Sequence, residues 1–383
     1  MSNVPMGGTC DARLNRVRDA FAENFERHGE AGATVAVMLD GKLVVDLWGG
    51  YADAARTRPW TRDTIVNIAS TTKGLTAVCV HRLVDRGSLD LDAPVARYWP
   101  EFAQAGKATM PVHFLLSHRA GLPAIDEPLP TEAFYDWKRM TSALAAQRPW
   151  WEPGTQHGYH AFTFGWLVGE VVRRTTGKSL GTFFREEVAE PLGIDCHIGF
   201  GPEHDARVAE FIPIPTTEPD LEVELMKHAP PMVQKALNNP PKTIADMNTR
   251  AWRGAEIPAG NAHTTARALA RVFGALARGG DVDGVRVLSR ACIERARSEQ
   301  ANGPDAVLFG MPTRFGLGFS LPTAGARFGS SSAVFGSFGA GGSMALADPE
   351  ARVGFAYVMN QMQPGMPPDP RGVRMIDALY ASL

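Results

Sequence analysis

Apolar and polar positions change their period several times along the chain. Residues 11–28, DARLNRVRDAFAENFERH, put Leu14, Val17, Phe21 and Phe25 on one face, which predicts an amphipathic helix. The runs ATVAVML and KLVVDLWGG follow, joined by Asp40-Gly41, and two apolar runs around an Asp-Gly pair predict a β-hairpin. A helix is expected to open at Ser70 as its cap and to continue through Val78, Leu83 and Val84 to a stop at Gly87. From about Leu89 to Pro240, segments of helical period such as FTFGWLVGEVVRR alternate with Pro- and Gly-rich loops. Within that region Ile212 to Thr243 is rich in proline and poor in period, which predicts a long loop, either a lid or a surface connection. A helix with a glycine stop, TTARALARVFGALARGG, leads to strand-like runs, GLGFSL and GSMALADPEARVGFAYVMN, the second turning at Asp348, Pro349 and Glu350. The helical RGVRMIDALYASL ends the chain.

Strands near both ends with helices between them predict an α/β (α+β) fold: one antiparallel sheet built from both chain ends and flanked by helices, plus a mostly helical lobe. The division expected is 1–100 with 250–383 for the sheet lobe, and 101–249 for the helical lobe with the lid-like loop at 212–243. A chain of 383 residues, 44% hydrophobic and 21% charged, has enough apolar surface for two such lobes. Its formal net charge of −2 offers no basic field to nucleic acid or to an anionic membrane, so a small-molecule substrate is expected and the oligomeric state is left open. Cys10, Cys79, Cys196 and Cys292 lack CxxC or metal-ligand spacing and read as reduced thiols. The start, MSNVPMGGTC, has no charged segment followed by an apolar one, and no apolar run reaches spanning length, so a cytoplasmic location is expected.

One stretch breaks a local rule. In NIASTTKGLTA the residue three after Ser70 is Lys73, although a cation in the first turn opposes the helix dipole by about 0.3–1 kcal/mol. Residues three apart share a helix face, so Ser70 and Lys73 meet. A serine hydroxyl needs a nearby base to become a nucleophile, and burial lowers a lysine's pKa toward that role. The helix start also offers backbone N–H groups to a developing oxyanion. Other motifs are weaker. His157 and His160 form H-x-x-H without the glutamate of a zinc protease, and no metal is expected. His118 is expected to brace a loop, and Trp252 and the pair Trp150-Trp151 are candidates to line an acyl pocket. No G-x-S-x-G elbow is present, and the glycines of FGSFGAGGS do not form a dinucleotide fingerprint.

The stretch IASTTKGLTA resembles the first motif of the serine β-lactamase and penicillin-binding-protein superfamily. The hairpin before it, LLSHRAGL and WEPGTQHGYH are similar to the class C β-lactamase branch, and most of all to its family VIII carboxylesterases; the resemblance covers most of the chain in consistent order. It implies a β-lactamase/transpeptidase-like fold, no cofactor, and a site made of Ser70, Lys73 and Tyr159. Tyr159 stands in the family's Y-x-N motif, with Ala161 in the asparagine place, and Lys73 is expected to lower its pKa. Ser337-Phe338-Gly339 occupies the K-T-G or H-x-G position, with the N–H groups of Ser70 and Ala340 implied as oxyanion donors. Ser337, Phe338, Gly339, His160 and Trp252 are the implied substrate-binding residues. A serine in place of the motif's lysine removes a counter-charge worth about 1.5–3 kcal/mol to an anionic substrate. The reading is therefore an esterase for small neutral carboxylic esters. A β-lactamase or D-amino-acid peptidase, an acyltransferase, and a non-catalytic ligand binder are the alternatives.

Overall fold

The computed structural model describes residues 4–215, 226–326 and 328–383. Six antiparallel strands form the main sheet: β1 (Met6–Cys10), β2 (Gly32–Leu39), β3 (Lys42–Gly50), β4 (Phe335–Phe338), β5 (Met344–Asp348) and β6 (Val353–Met359), in the order β1-β3-β2-β6-β5-β4. The expected sheet from both chain ends is this one, and the seam is the pairing of β6 with β2, from Val353 opposite Leu39 to Met359 opposite Ala33. Asp40 (φ 49°) and Gly41 (φ 80°) make the tight turn of the β2–β3 hairpin, the geometry an Asp-Gly pair accepts most readily. β1 was not legible, because MGGTC carries two glycines and little apolar alternation.

Both faces of the sheet are covered, which is why β6 is apolar at nearly every position and buried throughout. Helices α1 (Asn15–Arg27) and α6 (Pro370–Tyr380) pack against each other on one side, and α5 (Ala266–Ala277) lies across β2, β5 and β6. Next to α5 runs α2 (Thr72–Asp85), buried along most of its length. It packs against α3 (Thr163–Thr176) of the helical region, and one continuous hydrophobic cluster runs from the sheet into those helices.

Two expectations need correction. GLGFSL is not a strand: Gly318 turns the chain with φ 89°, and only Ser320 touches the sheet, by a single bridge to Gly336. A Cβ on Gly318 would stand 2.4 Å from that of Ala77, so this turn exists to let the chain pass close over α2. The segment 212–243 is not loop throughout, since α4 (Pro231–Asn238) forms within it and starts at a proline that fits the first helical turn. Residues 216–225 of the lid expectation lie outside the described residues.

Candidate active site

The helix that begins near Ser70 does not use it as a cap. A 3₁₀ turn, Ala69–Thr71, precedes α2, and Asn67 Oδ1 accepts from the Ala69 N–H at 2.7 Å in the place where a capping hydroxyl would act. Ala69 sits at φ 43°, a conformation that costs an alanine about 1–3 kcal/mol. The sharp turn leaves the Ser70 hydroxyl uncommitted to the backbone and aimed at Lys73, whose Nζ is 2.9 Å away and donates to the Ala259 carbonyl at 3.0 Å. The Lys73 side chain is buried, and burial alone drives its pKa well below the ordinary lysine value. No carboxylate pairs with it among the described residues, so nothing nearby offsets the burial that disfavours its charged form. The less an amine in the first turn holds its proton, the less it opposes the helix dipole, which is the physical compensation for the broken rule in the sequence.

Tyr159 reaches the same point from the loop before α3. Its ring centre lies 4.8 Å from Lys73 Nζ, and its hydroxyl lies near Ser70. The expectation that Lys73 would lower the phenol's pKa is overturned: burial pushes it up to about 12, with the neighbouring Ser70 hydroxyl pulling the other way. The same burial acts on both groups, disfavouring the charged form of Lys73 as well as a phenolate on Tyr159. Asp305, which the sequence reading missed, fixes this loop. Its Oδ1 accepts from the backbone N–H groups of Tyr159 (3.0 Å), Val307 (2.9 Å) and Leu308 (3.0 Å), and Oδ2 accepts from the Thr313 hydroxyl at 3.2 Å. It lies on a hairpin, Ala301–Pro304 with Pro312–Phe315, that the glycines and prolines of ANGPDAVLFGMPTRF concealed.

The other expected residues divide. Ser70, Tyr159, Phe338 and Ala340 line one cavity of about 330 Å³. Ser337 does not: its Oγ accepts from the Gly74 N–H at 3.2 Å and donates to the Ser70 carbonyl at 3.3 Å, tying β4 to α2 instead of facing substrate. Gly339 lets the backbone approach the turn that carries Ser70, where a Cβ would stand 2.5 Å from the Ile68 carbonyl oxygen. His160 is buried with both ring nitrogens spent on backbone, one accepting from the Leu122 N–H at 3.1 Å and the other 2.6 Å from the Gly158 carbonyl. Trp252 is buried against Phe134 in the helical core, and neither it nor Trp150 and Trp151 lines the cavity. These three corrections share a cause: residue type and motif proximity carry no information about which way a side chain turns. His118 does brace a loop, its Nδ1 accepting from the His160 N–H at 3.1 Å. His157 turns to Thr313, 2.9 Å away, so the two histidines of H-x-x-H face different partners. The rest of the cavity wall is largely apolar, with Ile214, Leu237, Leu308, Phe315, Leu321 and Phe328.

A hydroxyl against a buried lysine, a phenol and a glycine turn, set between a sheet and a helical region, defines a serine hydrolase. The chain belongs to the beta-lactamase family, whose model matches residues 17–380. It is 39% identical over 362 residues to the esterase/beta-lactamase LipL of Mycobacterium tuberculosis, covering 93% of this chain and 83% of that protein. Its fold is similar to the crystal structure of a family VIII carboxylesterase, with 44% identity, a TM-score of 0.93, and 99% and 100% of the two chains covered. It is also similar to a penicillin-binding protein homolog from Caulobacter crescentus, with 40% identity, a TM-score of 0.91 and the same coverage.

Proposed function

We propose that this chain is a serine carboxylesterase that hydrolyses small neutral carboxylic esters through an acyl-Ser70 intermediate. The observation that carries the reading is the buried Lys73 amine, without a carboxylate partner among the described residues, 2.9 Å from the Ser70 hydroxyl. Ser70 Oγ attacks the ester carbonyl as its proton passes to the Lys73 lone pair, and the tetrahedral oxyanion is held by the N–H groups of Ser70 and Ala340. Lys73 is then an ammonium 4.8 Å from the Tyr159 ring. That charge makes the phenol a better acid, so Tyr159 protonates the departing alkoxide and is reprotonated from Lys73. Water entering the vacated alcohol position retraces the same proton steps and frees the acid. The free cysteines support the expectation of a reducing, cytoplasmic setting.

The cavity's charge supports an ester over an anionic β-lactam. Ser337 is turned away, and Arg314, the cation among the described lining residues, donates to Glu299 at 2.6 Å and to the Pro322 carbonyl at 3.2 Å. Among the described lining residues, no uncommitted cation is left to pair with a substrate carboxylate. Replacing Ser70 with Ala should abolish p-nitrophenyl butyrate turnover while leaving the thermal transition unchanged. Retained turnover would remove Ser70 from the mechanism.

A further inference from the structure

The turn that carries Ala340 is built around two residues that only glycine accommodates, Gly341 (φ 84°) and Gly342 (φ 131°). A turn of this kind has little rigidity of its own. Three ties hold it. The Gly339 N–H donates to the Ser343 carbonyl at 2.8 Å. Ser343 Oγ donates to the Ile68 carbonyl at 2.7 Å and stands 3.0 Å from Thr71 Oγ1, which fastens one end of the turn to the nucleophile's own turn. The third tie comes from the opposite side of the sheet. Arg371, in the first turn of α6, sends Nη2 to the Gly341 carbonyl at 2.9 Å and to the Gln361 carbonyl at 3.1 Å.

This guanidinium is almost completely dry, at 2% exposure, and so are its partners. Nε and Nη2 grip Asp369 at 3.1 and 3.0 Å, and Nη1 pairs with Glu30 Oε1 at 3.1 Å, while Tyr357 donates its hydroxyl to Glu30 Oε2. Burying such a group is costly unless its fork is fully used, and here every nitrogen has a partner. A charge cluster meant only to fasten α6 would need Asp369 and Glu30. The remaining donors are spent on the carbonyl beside Ala340 and on the strand exit that continues into Met362 and Gln363 of the cavity wall. The space is closed around it, since a Cβ on Gly342 would stand 2.6 Å from Asp369 Oδ2 and 2.8 Å from Arg371 Nη2.

We infer that Arg371 is a positioning residue for catalysis: held by Glu30 and Asp369, it sets the Gly341 carbonyl and so aims the Ala340 N–H at the oxyanion. The inference rests on the reading of Ala340 as an oxyanion donor, and the test separates the two. Ala340→Pro removes that N–H without touching Arg371, and is expected to lower kcat by about 10²–10³-fold. Arg371→Lys keeps the charge but not the planar fork. It is expected to lower kcat by about 10–100-fold with KM within about twofold, the cost of a small misplacement of a catalytic donor. It should also weaken inhibition by phenylboronic acid, whose Ser70 adduct places an oxygen where the oxyanion forms, in proportion to kcat/KM. If the lysine variant does not fold, the charge-balanced variant Glu30→Gln, Asp369→Asn, Arg371→Gln leaves no unpaired buried charge and should show the same kcat loss and weaker boronate binding. Loss of kcat in Ala340→Pro alone, with a folded Arg371 variant retaining kcat and boronate affinity, would overturn the positioning role and leave the oxyanion reading standing. Full activity of Ala340→Pro would overturn both.

Discussion

An amine held in an apolar setting is penalised only when it carries its proton, and that single fact sets both the chemistry and the stability cost of Lys73. Unfolded, it titrates near about 10.4; folded, well below. Between those two values the unfolded chain binds one more proton than the folded one, so stability rises with pH across that window and falls as pH drops through it. Lys73→Met should therefore be inactive yet more resistant to denaturant than the parent at about pH 7, with the gap closing as pH nears about 10.4. Urea melts at several pH values check this, and a gap that does not change with pH would contradict it. Activity follows the same titration: kcat/KM should rise with pH as Lys73 loses its proton, and Lys73→Arg, which cannot deprotonate, should lose about 10²–10⁴-fold. Tyr159, pushed up to about 12, stays a neutral phenol across that range. Tyr159→Phe should slow the enzyme without moving the acidic limb. The broken capping pattern at Lys73 was readable from sequence because it contradicts a local rule. The phenol's shift was not, because it depends on the burial that folding imposes.

At the level of elements, the site depends on how closely α2 and β4 approach. A Cβ on Gly74 would stand 2.9 Å from Ser337 Cβ and 3.0 Å from Phe273 Cζ, so the glycine after Lys73 is what allows the strand against the helix. Gly74→Ala should cost about 1–3 kcal/mol by overpacking and lower kcat together with stability, measured by melting and steady-state rates on one preparation. The hairpin carrying Asp305 works on the other flank. Asp305→Ala would strand the N–H groups of Tyr159, Val307 and Leu308, and a loss of about 3 kcal/mol is expected from desolvated donors without partners. Elements with a strong period, α1, the β2–β3 hairpin, α5 and β6, were legible because burial on a defined face forces that period. The hairpin at 301–315 and β1 were not, because their pairing is specified by partners far along the chain and their own residues are turn formers.

Taken as a whole, the molecule sets a small polar cluster at the end of an apolar cavity, and three of its exposed large apolar side chains, Phe309, Met311 and Met366, line that same cavity. Each methylene an acyl group buries there is worth about 0.8 kcal/mol, so the two added from p-nitrophenyl acetate to butyrate should raise kcat/KM by up to about fifteenfold. That Ser70, Lys73 and Tyr159 come together was legible from the motifs. Which residues face the cavity was not: Ser337, His160 and Trp252 are all turned into structure. The most direct test of the account is to mix the protein with p-nitrophenyl butyrate, quench within the first turnovers, and map the adduct by peptide mass spectrometry, with nitrocefin alongside. The account predicts a butyryl group on Ser70, absent in Ser70→Ala, and an ester rate far above that for nitrocefin. Turnover with no adduct on Ser70, or nitrocefin hydrolysis that dominates, would contradict it.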